Sequence, residues 1–220
     1  KILNDMIIYA KETELPVKPD AVSYNAVMIA YARVGLPRKA EAVLQRQYGD
    51  FKAGNKRAAL DAQSFNAIIH GWAKAKEQIS GERAELVLNR MVELHKQGIL
   101  KERPNNYIYT TVINTWAVVG KPDKARQVFD RMLGDHKKGN KNAKPTLDSF
   151  NALLQAYSNA KLSNAGELAD VLIEKMKDFH LTPDKSTYIS IVRCWRCSLG
   201  HDPRAQARER ELNATIEKSH

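Results

Sequence analysis

In Pro19-Asp20-Ala21-Val22-Ser23-Tyr24-Asn25-Ala26-Val27-Met28-Ile29-Ala30-Tyr31-Ala32, the side chains of Tyr24, Val27, Met28 and Tyr31 recur at i, i+3, i+4 and i+7. That spacing puts four apolar groups on one face of a helix. The pattern returns as Phe65, Ile68, Ile69 and Trp72, as Tyr109, Val112, Ile113 and Trp116, as Phe150, Leu153, Leu154 and Tyr157, and as Tyr188, Ile191, Val192 and Trp195. One amphipathic helix repeated at a long period is the sequence signature of a solenoid.

A second pattern follows each copy. It runs Ala40, Val43, Leu44; then Ala84, Val87, Leu88, Met91; then Ala125, Val128, Phe129, Met132; then Ala169, Leu172, Ile173, Met176. In the first copy Gln47 stands where Met is expected. Each unit is therefore two helices, A then B. The small Ala lets B approach A, and the flexible Met fills irregular gaps. Breakers fall between A and B at Gly35-Leu36-Pro37, Gly120-Lys121-Pro122, Ile79-Ser80-Gly81, Ser163-Asn164-Ala165-Gly166 and Gly200-His201-Asp202-Pro203.

Asn25, Asn66, Thr110, Asn151 and Ile189 hold the same place, one residue past the first aromatic, at steps of 41, 44, 41 and 38. The extra residues sit in two places: some A–B turns and the segment after helix B. The latter segments are basic: Lys52, Lys56 and Arg57; Lys101 and Arg103; Lys137, Lys138, Lys141 and Lys144. They read either as solvated loops or extended last turns, or as an electrostatic rim for phosphates. The last helix B is mostly charged from Arg204 to Glu211, which suits the end of a stack.

Composition sets the outer limits. The 220 residues carry 35 Lys+Arg against 25 Asp+Glu, a net charge of +10 that fits a polyanionic partner. No apolar run is long enough to span a membrane. Helix periodicity is already under way at residue 1, so the chain reads as a piece of a longer one. Cys194 and Cys197 form a single CxxC with only His201 nearby, and read as core or half-exposed thiols rather than a metal site. The remaining histidines lack ligand spacing. Glycine-rich phosphate loops and nucleophile motifs are absent, so no catalytic residue and no cofactor is expected.

Ser23-Tyr24-Asn25-Ala26-Val27-Met28, Ser64-Phe65-Asn66-Ala67-Ile68-Ile69 and Ser149-Phe150-Asn151-Ala152-Leu153-Leu154 resemble the opening of pentatricopeptide repeats. Pro19-Asp20 and Pro183-Asp184 match the repeat ends. The resemblance implies an all-α fold, a right-handed α-solenoid of antiparallel helix hairpins. It divides the chain into a half repeat (1–20), four repeats (21–61, 62–105, 106–146, 147–184) and a degenerate repeat or capping hairpin (185–220). Every full unit is longer than the usual period of the family.

The resemblance further implies selective binding of single-stranded RNA in mitochondria or plastids, one base per repeat. The first readers would be Asn25, Asn66, Thr110 and Asn151; the second would be Asp61, Asn105, Thr146 and Asp184. In the family Asn with Asp favours uracil and Asn with Asn a pyrimidine, while Thr in the first place goes with purines. The implied target is U, pyrimidine, an open third position, U. Val22 and Tyr107 hold the place that sandwiches a base, and Arg33 and Lys74 could reach phosphates. From the residues alone, the Asn amides could instead bond the backbone of the next repeat, and Asp20, Asp61, Asn105, Thr146 and Asp184 are good helix N-caps. The competing function is a scaffold for protein partners within a larger, for example ribosomal, assembly. Neither reading involves a membrane or a small-molecule substrate.

Overall fold

The computed structural model describes Ile8, residues 18–198 and residues 203–218. The half repeat expected over residues 1–20 and the residue His201 thus lie almost wholly outside the described residues. Ten α-helices and two 3-10 turns make up the described chain, which contains no strand. It is an all-α repeat solenoid. The chain divides into two compact units, Lys1–Pro104 and Asn105–His220.

In the first unit α1 (Ala21–Arg33) turns back into α2 (Pro37–Lys52), and α3 (Ala62–Ala75) into α4 (Ser80–Lys96). Helix α3 packs on both α1 and α2. The Asn25 amide in the first turn of α1 bonds Asp61 at the start of α3, and Lys74 near the end of α3 bonds the Arg33 carbonyl at the end of α1. The two A helices therefore run parallel. In the second unit α5 (Asn106–Val118) and α6 (Pro122–Lys137) form one hairpin, and α7 (Leu147–Ala160) and α8 (Ala165–Lys177) the next. Helices α9 (Lys185–Ser198) and α10 (Pro203–Lys218) form the last. Helices α5, α7 and α9 pack successively on one another.

The core is the apolar face of the A helices closed by the B helices. Tyr24, Met28, Phe65, Ile68, Ile69 and Trp72 are buried in the first unit; Tyr109, Val112, Ile113, Trp116, Phe150, Leu153, Leu154 and Tyr157 are buried in the second. Each such side chain contributes about 1.5–3 kcal/mol on burial. Ala40, Ala84, Ala125 and Ala169 of the B helices are all fully buried, as the close A–B approach requires. Met91, Met132 and Met176 are buried at the far end. Gln47, in the corresponding place, is equally buried and donates to the Ala59 carbonyl at 3.1 Å. The hydrogen bond is what lets an amide occupy a thioether site.

The closing aromatic of helix A meets a polar residue of the preceding helix B. Trp72 Nε1 donates to Glu41 Oε1 at 2.6 Å, and Arg126 donates to the Tyr157 hydroxyl at 3.2 Å. The charged α10 is fixed at its base by Leu212, which is buried, and by Arg208 donating to Asp170 of α8 at 3.2 Å.

Two A–B turns differ from the sequence expectation. Gly35 (φ 71°) and Gly120 (φ 74°) reverse the chain after α1 and α5 as expected. The other two turns have no glycine at that position. There Lys76 (φ 52°) and Lys161 (φ 51°) adopt the left-handed conformation. Because the chain has already turned, Ser80-Gly81 and Ala165-Gly166 are not breakers: they open α4 and α8.

Candidate nucleic-acid interface

The last residue of each expected repeat caps the next helix A. Asp20, Asp61 and Asn105 sit in extended backbone, and their side chains accept from the amides of Ser23, Ser64 and Ile108 at 2.9, 3.0 and 3.0 Å. The Thr187 amide donates to Asp184 at 2.7 Å. At α7 the roles reverse: the Thr146 amide donates to Ser149 Oγ at 2.7 Å. Each cap satisfies a donor that the first turn leaves open. The Ser23 amide and hydroxyl hold the Asp20 carboxyl below the usual carboxylate range. The Thr187 hydroxyl, with its amide, does the same for Asp184.

The residue after the first aromatic faces these caps. Asn25 is only 5% exposed. Its Nδ2 donates to both Asp61 oxygens, at 2.9 and 3.2 Å, and its Oδ1 accepts from the buried Ser64 Oγ at 2.8 Å. Asn25 thus fills an inter-hairpin role, through side chains of the next repeat rather than its backbone. The other three positions differ. Asn66 Oδ1, Thr110 Oγ1 and Asn151 Oδ1 are buried and have no hydrogen-bond partner. Asn66 and Asn151 are half-buried, and Thr110 is 9% exposed. Asn151 also bonds Asp184. Among the described residues Trp195 Nε1 is the one other buried side-chain atom so placed. Sealed polar atoms without partners are uncommon in folded chains. Here they concentrate at one repeat position.

Val22 and Tyr107, in the first turns of α1 and α5, are 74% and 51% exposed and carry apolar surface into solvent. Arg33 is exposed at the end of α1. Lys74 does not stand free: its ammonium donates to the Arg33 carbonyl at 2.5 Å. Asn159 and Cys197, each eight residues past the reader place in its own helix, do the same to Ala117 and Ser158 at 3.4 and 3.6 Å. This position closes the C-terminal carbonyls of the preceding helix A. Sequence reasoning missed that role, and it missed Ser64 as the support of Asn25. The signal for Ser64 was its recurrence as Ser23, Ser64 and Ser149.

Cys194 is buried and donates to the Leu154 carbonyl at 3.4 Å; burial pushes its thiol up to about 12. Among the described residues no three His, Cys, Asp or Glu side chains converge on a point that could hold a metal ion. Among the described residues no helix is long and apolar enough to cross a membrane.

A pentatricopeptide repeat domain model matches residues 91–160, and a PPR repeat model matches residues 22–46. A pentatricopeptide repeat-containing protein of Arabidopsis thaliana is 30% identical over 211 residues, taking in 92% of this chain and 31% of that one. The chain is a pentatricopeptide repeat protein. Similar to it also is a chloroplastic pentatricopeptide repeat-containing protein of the same plant, 26% identical over 208 residues, with 79% of this chain and 24% of that one covered. A mitochondrial 15S rRNA processing factor of Yarrowia lipolytica is 26% identical over 183 residues, covering 82% of this chain and 21% of that one. Among solved structures, the pentatricopeptide repeat protein PPR10 in complex with an 18-nucleotide psaJ RNA element superposes with a TM-score of 0.60 at 25% identity, over 98% of this chain and 28% of that one. This pentatricopeptide repeat chain therefore spans about a third or less of the length of these relatives.

Proposed function

We propose that this pentatricopeptide repeat protein binds single-stranded RNA selectively, through the polar groups that line the first turns of its A helices. The observation that carries the reading is the set of buried, unpartnered oxygens on Asn66, Thr110 and Asn151. Each is a sealed acceptor with no bond to lose, so a side chain that swings outward to a base edge gains a hydrogen bond without giving one up at that oxygen. Within single units the first and second readers are Thr110 with Thr146 and Asn151 with Asp184, while Asn25 and Asp61, expected to read a base, hold each other instead. Asn66 and Asn105 take the same two roles at their own positions. The repeats run 21–61, 62–105, 106–146 and 147–184, with 185–220 as a closing hairpin. Ile189 offers no polar atom, so the last hairpin reads no base. Exposed Val22 and Tyr107 supply surfaces on which bases stack.

The role is binding rather than catalysis, in organellar RNA processing, stabilisation or translation. The chloroplastic and mitochondrial names among its relatives, one of them an rRNA processing factor, support that setting. The RNA-bound state of its structural relative supports the partner. At Asn25 a structural role is favoured over base contact, since its amide is spent on the neighbouring hairpin.

Binding of poly-U, poly-C, poly-A and poly-G oligomers at two salt concentrations tests the proposal. Salt-sensitive binding with pyrimidine oligomers ahead of purine ones is expected. Equal binding of all four, or none at low salt, contradicts it.

A further inference from the structure

Two segments outside the reader positions share a built geometry. They are residues 52–57 in the first unit and 137–144 in the second, which correspond at an offset of 85 in sequence, Lys52 to Lys137 and Lys56 to Lys141. Each leaves its B helix through a left-handed glycine, Gly54 (φ 99°) or Gly139 (φ 93°). Each then forms a 3-10 turn, Lys56–Ala58 or Lys141–Ala143.

An asparagine and an alanine anchor each turn. Asn55 and Asn140 are buried, and their amides donate to the Asp50 and Asp135 carbonyls at 3.0 and 3.1 Å. The Asn55 side chain holds the Pro19 carbonyl at 2.8 Å, and the Asn140 side chain holds Asp135 at 2.6 Å. Ala58 and Ala143 are fully buried. The turns are thus anchored at these buried residues.

What they present is charge of one sign. Between Lys52 and Arg57 there are three cations and no carboxylate; between Lys137 and Lys144 there are four and none. All seven are exposed. The nearest carboxylates before them in sequence are engaged, Asp50 by the Tyr24 hydroxyl and Asp135 by that of Tyr109. Lys137, Lys138, Lys141 and Lys144 make no ion pair or side-chain hydrogen bond among the described residues. Lys52 and Lys56 lie over the Tyr48 and Phe51 rings at 4.9 and 5.4 Å, which leaves their ammonium protons for an anion.

The turns stand beside the reader line. The charge of Arg57 lowers the proton affinity of the Asp20 cap, and Lys144 lies two residues before Thr146. We propose that the two turns are sequence-independent phosphate sites that grip the backbone of the RNA strand read by the neighbouring A helices. They would offset the repulsion that capping carboxylates such as Asp20 and Asp61 exert on a phosphodiester chain. The proposal rests on the RNA-binding reading above and adds to it a site with a different ligand chemistry.

The test is the salt dependence of RNA affinity in the 220-residue chain. Lys137→Gln, Lys138→Gln, Lys141→Gln and Lys144→Gln are combined in one variant, and the four Lys→Arg changes in another. With a U-rich oligomer, the slope of log affinity against log salt should become shallower by ~0.7 for each phosphate contact removed. The Arg variant should keep the wild-type slope, and the preference for U-rich over A-rich oligomers should stay unchanged in both. A folded Gln variant with the wild-type slope and affinity overturns the proposal. So does a Gln variant whose base preference changes while its slope does not. A shallower slope in a protein with no base preference would leave the phosphate sites standing and remove the base-reading role instead.

Discussion

The Asn25 side chain donates to both carboxylate oxygens of Asp61, at 2.9 and 3.2 Å, so the two groups expected to read one base instead hold each other. Ser64 completes the arrangement by donating to Asn25 Oδ1 at 2.8 Å. Asn151 is tied only to Asp184, and its oxygen has no partner.

Removing the two amides should therefore have unequal consequences. Asn25→Ala deletes a satisfied, buried amide and should destabilise the fold by about 1–3 kcal/mol. Asn151→Ala also removes an unsatisfied oxygen and should cost less, about 0–1 kcal/mol. Urea midpoints of the two variants measure the difference. Equal losses would mean that the Asn25 network contributes nothing specific.

Packing gives a second contrast. A Cβ added at Gly166 would lie 2.3 Å from the Trp195 ring, whereas one added at Gly134 meets nothing within 4 Å. Gly166→Ala should destabilise by about 1–3 kcal/mol through overpacking. Gly134→Ala should stabilise by roughly 0.5–1 kcal/mol through helix propensity alone. Thermal melts of the pair read both signs.

Acid should weaken the caps below the ordinary carboxylate range. The carboxyls of Asp20 and Asp184 sit below their ordinary value because amide and hydroxyl donors favour the charged form. Their contribution is present above the unfolded pKa of about 3.9 and is lost as pH falls from there through the lower folded value. The melting temperature should fall across that window. Asp184→Asn, which keeps the cap but cannot titrate, should fall less steeply, and Asp184→Ala should lose about 1 kcal/mol at neutral pH.

Much of this was legible in the sequence because the apolar period fixes which face of a helix is buried, whatever lies opposite. Most of the stripe from Tyr24 to Tyr157 in the A helices and from Ala40 to Met176 in the B helices went where its spacing sent it, while Val27, Tyr31, Val43, Leu44 and Ile173 stay half-buried. The five N-caps were legible because Ser, Thr, Asp and Asn cap by a local bond, three residues along the chain. The rest depended on neighbours remote in sequence. Lys76 and Lys161 take a conformation that glycine normally marks, and nothing local signals it. Gln47 looked like a missing Met, since its partner, the Ala59 carbonyl, is set by the following turn. The basic segments read as plain loops or a loose rim because Asn55 and Asn140 reveal themselves as anchors only once their acceptors are in place. At the reader position the three asparagines looked alike, and only the packing of the next hairpin separates Asn25 from Asn151.

Stacking should be separable from reading. Tyr107 is 51% exposed, so Tyr107→Ala should change folding stability by no more than about 0.5 kcal/mol. RNA affinity should drop by about 1–3 kcal/mol if a base lies on the ring. Fluorescence titration with a U-rich oligomer measures the loss.

The most direct measurement is base preference at a single nucleotide in Asn151→Thr, with Asp184 retained. Four oligomers that differ only at that nucleotide are titrated against the parent and the variant. Preference should move from uracil to a purine there, with no change at the other positions. A variant that keeps uracil, or a parent that binds all four oligomers alike, would contradict base reading by this row of side chains.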